Sequence, residues 1–273
     1  MTEIRTVSVE NMKRFLIFAF LIFAAGVSLS RAQDGSVDGA RDVLLQIAQL
    51  SRQKALQTEA ARRILTGELT DLKADSFGRL ADAPDKILPL DKTHAVGRFQ
   101  FTGDDNHSED VYFYLRFENG WKIYALRALA LPKFLRDYYA ILKSKPDSTE
   151  EEKRELANLK LLFASDAELK NWFAENRRAL EKFAVAAQSK KGKNDFYVGF
   201  SDKNSPEAAQ LREMNLSLLS VKTNGNVEIV IGGITDNTVG FLYSPAKTPP
   251  AVSTLEYIWV EEIAPGWYLF RTT

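Results

Sequence analysis

The sequence contains no cysteine and only two histidines among its 273 residues. The lack of cysteine excludes disulfide bonds, thiol nucleophiles, cysteine-ligated metals and a lipid-modified N-terminal cysteine. Chemistry of the serine–histidine–aspartate type has only His94 and His107 to draw on. Stability must therefore come from a packed core, and the 17 Phe, 9 Tyr and 4 Trp residues can supply one.

The chain also lacks any excess of one charge. Lys and Arg number 36, and so do Asp and Glu, so nothing in the charge balance favours nucleic acid or an anionic membrane as a partner. No nucleophile elbow, His-Glu-x-x-His motif, Walker loop or dinucleotide-binding glycine motif occurs. The sequence therefore predicts no cofactor and no metal.

One long uncharged segment is present at residues 15–29. Lys13 and Arg14 precede it, and Ser30–Ala32 follows it with small residues at the two positions that signal peptidase reads. The segment is shorter than the roughly 20 apolar residues that a membrane-spanning helix needs. We expect residues 1–32 to be a cleaved signal peptide, with no stable membrane span afterwards.

The preferred start of the precursor is Met12, because Glu3 and Glu10 suit the basic end of a signal peptide poorly. The mature chain, residues 33–273, is then exported to the periplasm or the extracellular space. An exported chain without disulfides is more typical of a bacterial envelope than of a eukaryotic secretory route.

The first part of the mature chain changes from a helical to a strand pattern. Apolar residues at helical spacing predict helices over residues 40–50 and 52–69. Alternation of apolar and polar residues then predicts a three-stranded antiparallel meander with strands at 95–101, 111–117 and 121–131.

The middle of the chain reads as helical. Pro132 is suited to the first position of a helix. Ser148–Glu151 and Ser165–Glu168 match the capping box that opens a helix. The last 80 or so residues are rich in strands, and Asn224-Gly225 indicates a hairpin turn. Strands are expected at 196–200, 216–222, 227–231, 239–243, 257–262 and 266–272.

Two stretches carry a family resemblance. The order of elements over residues 38–131, and the stretch Asp110–Tyr124 with its Gly-Trp-Lys turn, resemble the NTF2-like α+β cone. The resemblance implies a sheet wrapped around a helix, with a cavity at the open end. That family contains isomerases, dehydratases, hydrolases and binding modules, so the fold leaves the function open. Val239–Tyr243 and Gly266–Arg271 are similar to segments of uncharacterised exported bacterial proteins.

We therefore expect an α+β protein in three parts after the signal peptide. Residues 33–131 form the NTF2-like domain, with a helix pair and an antiparallel meander. Residues 132–195 form a helical segment, and residues 196–273 form an antiparallel β unit packed on the helices.

His94 is the candidate catalytic residue. It precedes a strand on whose same face Arg98 and Gln100 lie, and a histidine lining a cone cavity can act as a general base. The alternative is a surface histidine on a polar strand face. The candidate ligand-binding residues are Arg98, Gln100, Tyr112, Tyr114 and Tyr124.

A second candidate is the acidic loop before residue 111. Asp104, Asp105, His107, Glu109 and Asp110 are the kinds of ligand that calcium prefers, but their spacing does not match an EF-hand. A solvated hairpin loop explains the same residues, and no metal site is predicted there.

Three functions fit these observations. The preferred one is a non-catalytic module that binds a small molecule or an envelope protein. The second is a small hydrolase or isomerase that uses His94 as its base. The third is a structural interaction module that uses exposed aromatic residues of the C-terminal strands.

Overall fold

A computed structural model describes residues 36–70, 79–103 and 108–273. The predicted signal peptide, along with Asp104, Asp105 and His107, lies outside these residues. The described residues form helices and antiparallel sheets, which confirms the predicted α+β class. By internal contacts, the described residues up to 97, with residues 113–125, make one compact unit (unit 1), and the described residues between 98 and 112, with residues 126–273, make another (unit 2).

Helix α1 (Val37–Arg52) opens unit 1 and begins with a side-chain cap. The Oγ of Ser36 accepts a hydrogen bond from the Gly39 amide at 3.2 Å, which satisfies one amide of the first turn. The buried side of α1 contains the residues whose spacing predicted the helix: Ala40, Val43, Leu44, Ile47 and Leu50.

Strand β3 (His94–Thr102) approaches α1 so closely that residue 97 has no room for a side chain. A Cβ at Gly97 would stand 2.3 Å from Leu44 Cδ1, far inside van der Waals contact. The glycine therefore sets the distance between the helix and the strand within unit 1.

The predicted second helix over 52–69 is wrong in its extent. Lys54 adopts a left-handed φ of 53°, which ends the first helix. The chain then forms only the short helix α2 (Glu59–Ile64) and a 3₁₀ turn at Gly67–Leu69. Leu65 is extended and pairs with Ile123, so strand-like pairing replaces the helix that the apolar spacing predicted.

The first sheet has the order β1–β3–β4–β5, with β2 also paired to β3. Its three predicted strands are confirmed, although the third ends at Ala128, four residues before Pro132. The short strands β1 and β2 precede the predicted meander in the chain and add to its sheet. The strands are β1 (Arg79–Leu80), β2 (Lys86–Pro89), β3, β4 (Ser108–Phe117) and β5 (Trp121–Ala128).

Unit 2 contains the central helices α3 (Lys133–Ser144), α4 (Glu150–Leu162) and α5 (Asp166–Ala187). The capping box of α5 is confirmed, since Ser165 and Glu168 bond each other's backbone amides. The box of α4 is formed by Thr149 and Glu152, one residue later than predicted. Pro132 is the cap residue of α3 and not its first helical residue.

The second sheet is antiparallel and has the order β10–β11–β9–β8–β7–β6. The hairpin at Asn224-Gly225 is confirmed, with Gly225 at a φ of 91°. Helix α6 (Pro206–Glu213) was not predicted from the sequence. The strands are β6 (Phe196–Gly199), β7 (Leu218–Val221), β8 (Val227–Ile234), β9 (Asn237–Tyr243), β10 (Tyr257–Ala264) and β11 (Trp267–Thr272).

The central helices and the second sheet share one hydrophobic core. Trp172 of α5 stacks on Phe241 of β9, with ring centroids 5.6 Å apart and planes 9° from parallel. Phe173 packs between Phe241 and Trp267 at 5.4 and 5.3 Å. Burial of each such side chain contributes about 1.5–3 kcal/mol, so this core holds α5 on the sheet.

Candidate functional site

A cavity of about 700 Å³ lies in unit 2. Its walls come from α3, α4, the loop after β6, and the segment from α6 into β7. Five of its lining residues lie on α4 at a spacing of three and four, which puts them on one face of the helix. They are Glu151, Arg154, Glu155, Asn158 and Leu159.

The amide of Asn158 has a structural role in the wall of the cavity. Its Nδ2 donates to the carbonyl oxygens of Ile231 at 2.6 Å and Asn215 at 2.8 Å. The Oγ of Ser217 donates to the same Ile231 oxygen at 2.7 Å. These bonds tie α4 to the sheet and leave the walls preformed, which lowers the entropy cost of binding.

A second wall, formed by the loop after β6 and by α6, carries positive charge. Arg212 of α6 donates through Nη1 to the carbonyl oxygens of Phe200 and of Asp202, the latter at 3.0 Å. These bonds fix the guanidinium without neutralising its charge. Lys203 also lines this wall and is exposed, and neither cation forms an ion pair within the part of the chain that the structure describes.

Tyr138 of α3 joins the apolar and polar parts of the lining. Its hydroxyl donates to Glu155 Oε2, and this bond raises the pKa of Tyr138 to about 12. The phenol therefore stays neutral at physiological pH. Phe134, Tyr138 and Ile141 recur at positions i, i+4 and i+7 and are 61, 38 and 61% exposed, so α3 carries an apolar stripe that includes a lining residue.

A buried network of charged side chains lies elsewhere in unit 2. Asp166 is the first residue of α5. Its Oδ1 accepts a hydrogen bond from Arg271 Nε at 2.8 Å, and its Oδ2 accepts one from Arg98 Nη1 at 2.6 Å. The hydroxyl of Tyr112 donates to Oδ2 at 3.1 Å. Burial opposes ionisation of Asp166, but Arg271 and Arg98 outweigh it and lower the pKa of the carboxyl.

Glu261 extends the network. It accepts from Arg98 at 3.0 Å and from Lys170 at 3.1 Å. The Arg98 guanidinium lies 5.2 Å from the centroid of Trp259, and Tyr112 stacks on the same indole at 5.0 Å. Each of these buried charges has a partner, as the cost of desolvation requires.

In the buried network, Asp110 is the carboxyl group whose charged form is disfavoured. Its Oδ2 accepts the Asp166 amide at 2.8 Å and lies 3.6 Å from Arg271 Nη2. Burial, with the nearby Asp166 carboxylate, raises the pKa of Asp110 to about 6. Apart from Lys170, the side chains of the network are nine-tenths or more buried, so they belong to the interior of the unit.

The predicted site residues fall into separate groups. Unit 1 contains His94, Tyr114 and Tyr124, with the His94 and Tyr114 rings 6.5 and 6.1 Å from the Tyr124 ring. The Nδ1 of His94 is 3.0 Å from Asp91 Oδ2. Asp91 Oδ1 also accepts hydrogen bonds from the backbone amides of Thr93 and His94. The hydrogen bonds from Thr93 are the main cause that lowers the pKa of Asp91 to about 2.

Unit 2 contains the other three. Arg98 and Tyr112 meet at Asp166 in the buried network, and Gln100 is exposed. None of the six predicted residues lines the 700 Å³ cavity. Of the acidic loop, Glu109 pairs with Arg136 at 2.9 Å and Asp110 belongs to the network. Within the described ranges, no group of three or more His, Asp or Glu residues is placed to hold a metal ion.

Sequence reasoning did not find the cavity. The stripe on α4 (Glu151, Arg154, Glu155, Asn158 and Leu159) has four polar residues and one apolar residue, as a solvent-exposed helix face also has, so it gave no signal. The remaining lining residues come from a loop and from α6, and no periodicity connects them with α4. Only the tertiary fold brings Arg154, Lys203 and Arg212 to one cavity.

No family model, curated protein or solved structure matches the chain. Among the described residues, no helix has both the length and the apolar character needed to cross a bilayer.

Proposed function

We propose that this is an exported protein whose role is to bind a small molecule without catalysis. The observation that carries the proposal is the cavity of about 700 Å³ in unit 2. Binding sites for small organic ligands have volumes of roughly 300–1,000 Å³ and combine apolar walls with a few fixed polar groups. Leu135, Leu159 and Leu216 supply the apolar surface, while Tyr138 and Arg212 are polar groups held by hydrogen bonds.

The cavity is tested with the neutral fluorophore N-phenyl-1-naphthylamine, whose emission rises in apolar surroundings. Ser201 lines the cavity in the exposed loop after β6, so Ser201→Trp fills the cavity without disturbing the core. We expect this change to lower probe affinity at least tenfold. Asn194→Trp is the matched control, because Asn194 is exposed in the loop before β6 and does not line the cavity.

Leu135→Trp fills the same space from α3 and gives an independent check. Circular dichroism establishes that each variant is folded. Probe binding that is equal in wild type, Ser201→Trp and Leu135→Trp would show that the cavity is not the binding site and would overturn the proposal.

For unit 1 we propose the finer NTF2-like arrangement, a sheet curved around a helix. The support is the resemblance over residues 38–131 together with the close approach of α1 to β3 at Gly97. An experimental structure in which the meander lies flat against α1 would contradict this assignment.

Export is a further part of the proposal. It rests on the basic residues at 13 and 14, the apolar segment 15–29 and the small residues at 30 and 32. Expression of the full chain in a bacterium, followed by mass spectrometry of the periplasmic protein, should give a mature N-terminus at Gln33. Recovery of uncleaved protein from the cytoplasm alone would contradict it.

A specific observation supports a second candidate, a hydrolase or isomerase with His94 as base. The Asp91 carboxylate lies beside His94 Nδ1 and can orient the imidazole, as carboxylates do in general-base pairs. His94 and Asp91 are respectively 42 and 56% exposed in their side chains, and neither lines the cavity. Hydrolysis of 4-nitrophenyl acetate that is lost in His94→Ala would favour the enzyme. Equal rates in both proteins would exclude His94 from ester hydrolysis.

A further inference from the structure

The charges around the cavity indicate which small molecules fit it. We propose that the cavity takes amphipathic organic anions, in which an apolar aromatic or acyl body carries one carboxylate, sulfonate or similar group. This inference rests on the proposed function, because it requires the cavity to be a binding site.

The wall formed by the loop after β6 and by α6 presents two cations. Lys203 and Arg212 line it, and neither is paired with a carboxylate among the described residues. Arg212 is fixed by the carbonyl oxygens of Phe200 and Asp202, so its position does not depend on a ligand. A guanidinium held in place in this way binds an oxyanion with little loss of side-chain entropy.

The wall formed by α4 carries mixed charge. Glu155 accepts the Tyr138 hydroxyl, which satisfies part of its hydrogen-bonding capacity. Arg154 lies between Glu151 and Glu155 on the same helical face and brings the cations of the lining to three against two carboxylates. The lining is therefore positive overall, and the loop after β6 and α6 contribute no acidic side chain to it. The carboxylate of Asp202 in this loop accepts the Asn204 amide at 2.9 Å.

The body of the ligand is defined by the apolar surface. Leu135, Leu159 and Leu216 line the cavity, together with the rings of Tyr138 and Phe200. An inorganic anion such as phosphate would leave this surface wetted, whereas an aromatic or acyl body would bury it at about 25 cal/mol per Å². An anionic group at the basic wall and an apolar body against the leucines satisfy both parts of the lining.

A matched pair of probes tests the charge preference. 8-Anilinonaphthalene-1-sulfonate and N-phenyl-1-naphthylamine have the same rings and differ only in the sulfonate. In an apolar cavity without cationic partners the neutral probe binds more tightly, because the sulfonate loses hydration. We expect the reverse here, with the sulfonate bound about fivefold more tightly at low salt and its advantage reduced in 0.5 M NaCl.

Replacing one cation of the lining at a time shows which residues cause the preference for the sulfonate. Lys203→Gln and Arg154→Gln should each weaken sulfonate binding about three- to fivefold, clearly more than they weaken binding of the neutral probe. Lys193→Gln is the matched control, since Lys193 is exposed and lies outside the cavity. It should leave both affinities as in the wild type.

The outcomes separate this inference from the proposed function. Tighter binding of the neutral probe to the wild type, blocked by Ser201→Trp, would overturn the charge preference and keep the cavity as a binding site. A sulfonate affinity unaffected by both Lys203→Gln and Arg154→Gln would also overturn it. If Ser201→Trp and Leu135→Trp block neither probe, both the inference and the proposed function fail.

Discussion

Asp110 Oδ2 accepts a hydrogen bond from the backbone amide of Asp166 at 2.8 Å, so two carboxyl groups meet at the start of helix α5. The positive end of the helix and Arg271 favour the charged form of Asp110, while burial and the Asp166 carboxylate oppose it. Burial prevails, and the pKa of Asp110 is raised to about 6.

The first prediction concerns stability against pH. The folded state holds the Asp110 proton more tightly than the unfolded state, whose Asp pKa is about 3.9. This tighter proton binding adds about 3 kcal/mol to the free energy of unfolding below pH 4, and the gain is lost as the pH rises to about 6. Asp110→Asn removes the titration and still offers an oxygen to the Asp166 amide.

Urea unfolding at pH 4, 5, 6 and 7 measures this effect. The free energy of unfolding of Asp110→Asn, relative to wild type, should increase from pH 4 to pH 7. Asp147→Asn removes a charge from the exposed surface and should show no such trend. If the free energies of unfolding of Asp110→Asn and wild type change in parallel with pH, the assignment of a raised pKa to Asp110 is contradicted.

The second prediction compares buried and exposed charges on one helix. Asp166→Ala should lower the free energy of unfolding by about 3–5 kcal/mol, because it leaves the buried guanidinium groups of Arg98 and Arg271 poorly compensated. Glu181→Ala, which breaks an exposed pair with Arg177 on the same helix, should cost less than about 1 kcal/mol. Similar losses in the two variants would show that the network is not a buried ionic one.

The third prediction tests the close approach of α1 and β3. Gly97→Ala should destabilise the protein by about 1–3 kcal/mol, because the new methyl group overlaps Leu44 Cδ1. In Gly97→Ala/Leu44→Ala the overlap is relieved, so the double variant should lose less stability than the two single losses combined. At Gly192 the nearest atom to an added Cβ is 3.8 Å away, and Gly192→Ala should be close to neutral.

The fourth prediction concerns the start of α4. Thr149→Ala should cost about 1 kcal/mol, because Thr149 Oγ1 accepts the Glu152 amide at 3.2 Å. Ser148→Ala should cost clearly less, since Ser148 Oγ donates only to the Lys145 carbonyl oxygen. Thermal unfolding of both variants checks the register, and a larger loss for Ser148→Ala would place the cap one residue earlier.

The sequence correctly predicted the elements that depend on residues close together in the chain. The stripe on α1, the cap at Ser165 and the hairpin at Asn224-Gly225 all depend on residues within a few positions of one another. Prediction was wrong where pairing over a distance decides the structure. Leu65 continues an apolar helical spacing, yet it is extended because it pairs with Ile123.

The candidate site shows the same limit. Arg98 and Tyr112 were predicted as ligand-binding residues because strand alternation puts them on a face, but alternation does not reveal what covers that face. Asp166 covers both side chains, 68 and 54 residues further along the chain. The cavity residues Lys203 and Arg212 lie outside regular alternation altogether, and α6 itself was not predicted.

The stripe on α4 has a consequence for how the protein can change. Glu151 and Arg154 face the cavity but are exposed, whereas Leu159 and Leu162 of the same helix anchor it in the core. Substitutions at the first two positions change the charge of the cavity wall and leave these anchoring contacts intact. The charge of this wall is therefore open to change by single mutations that do not touch the core.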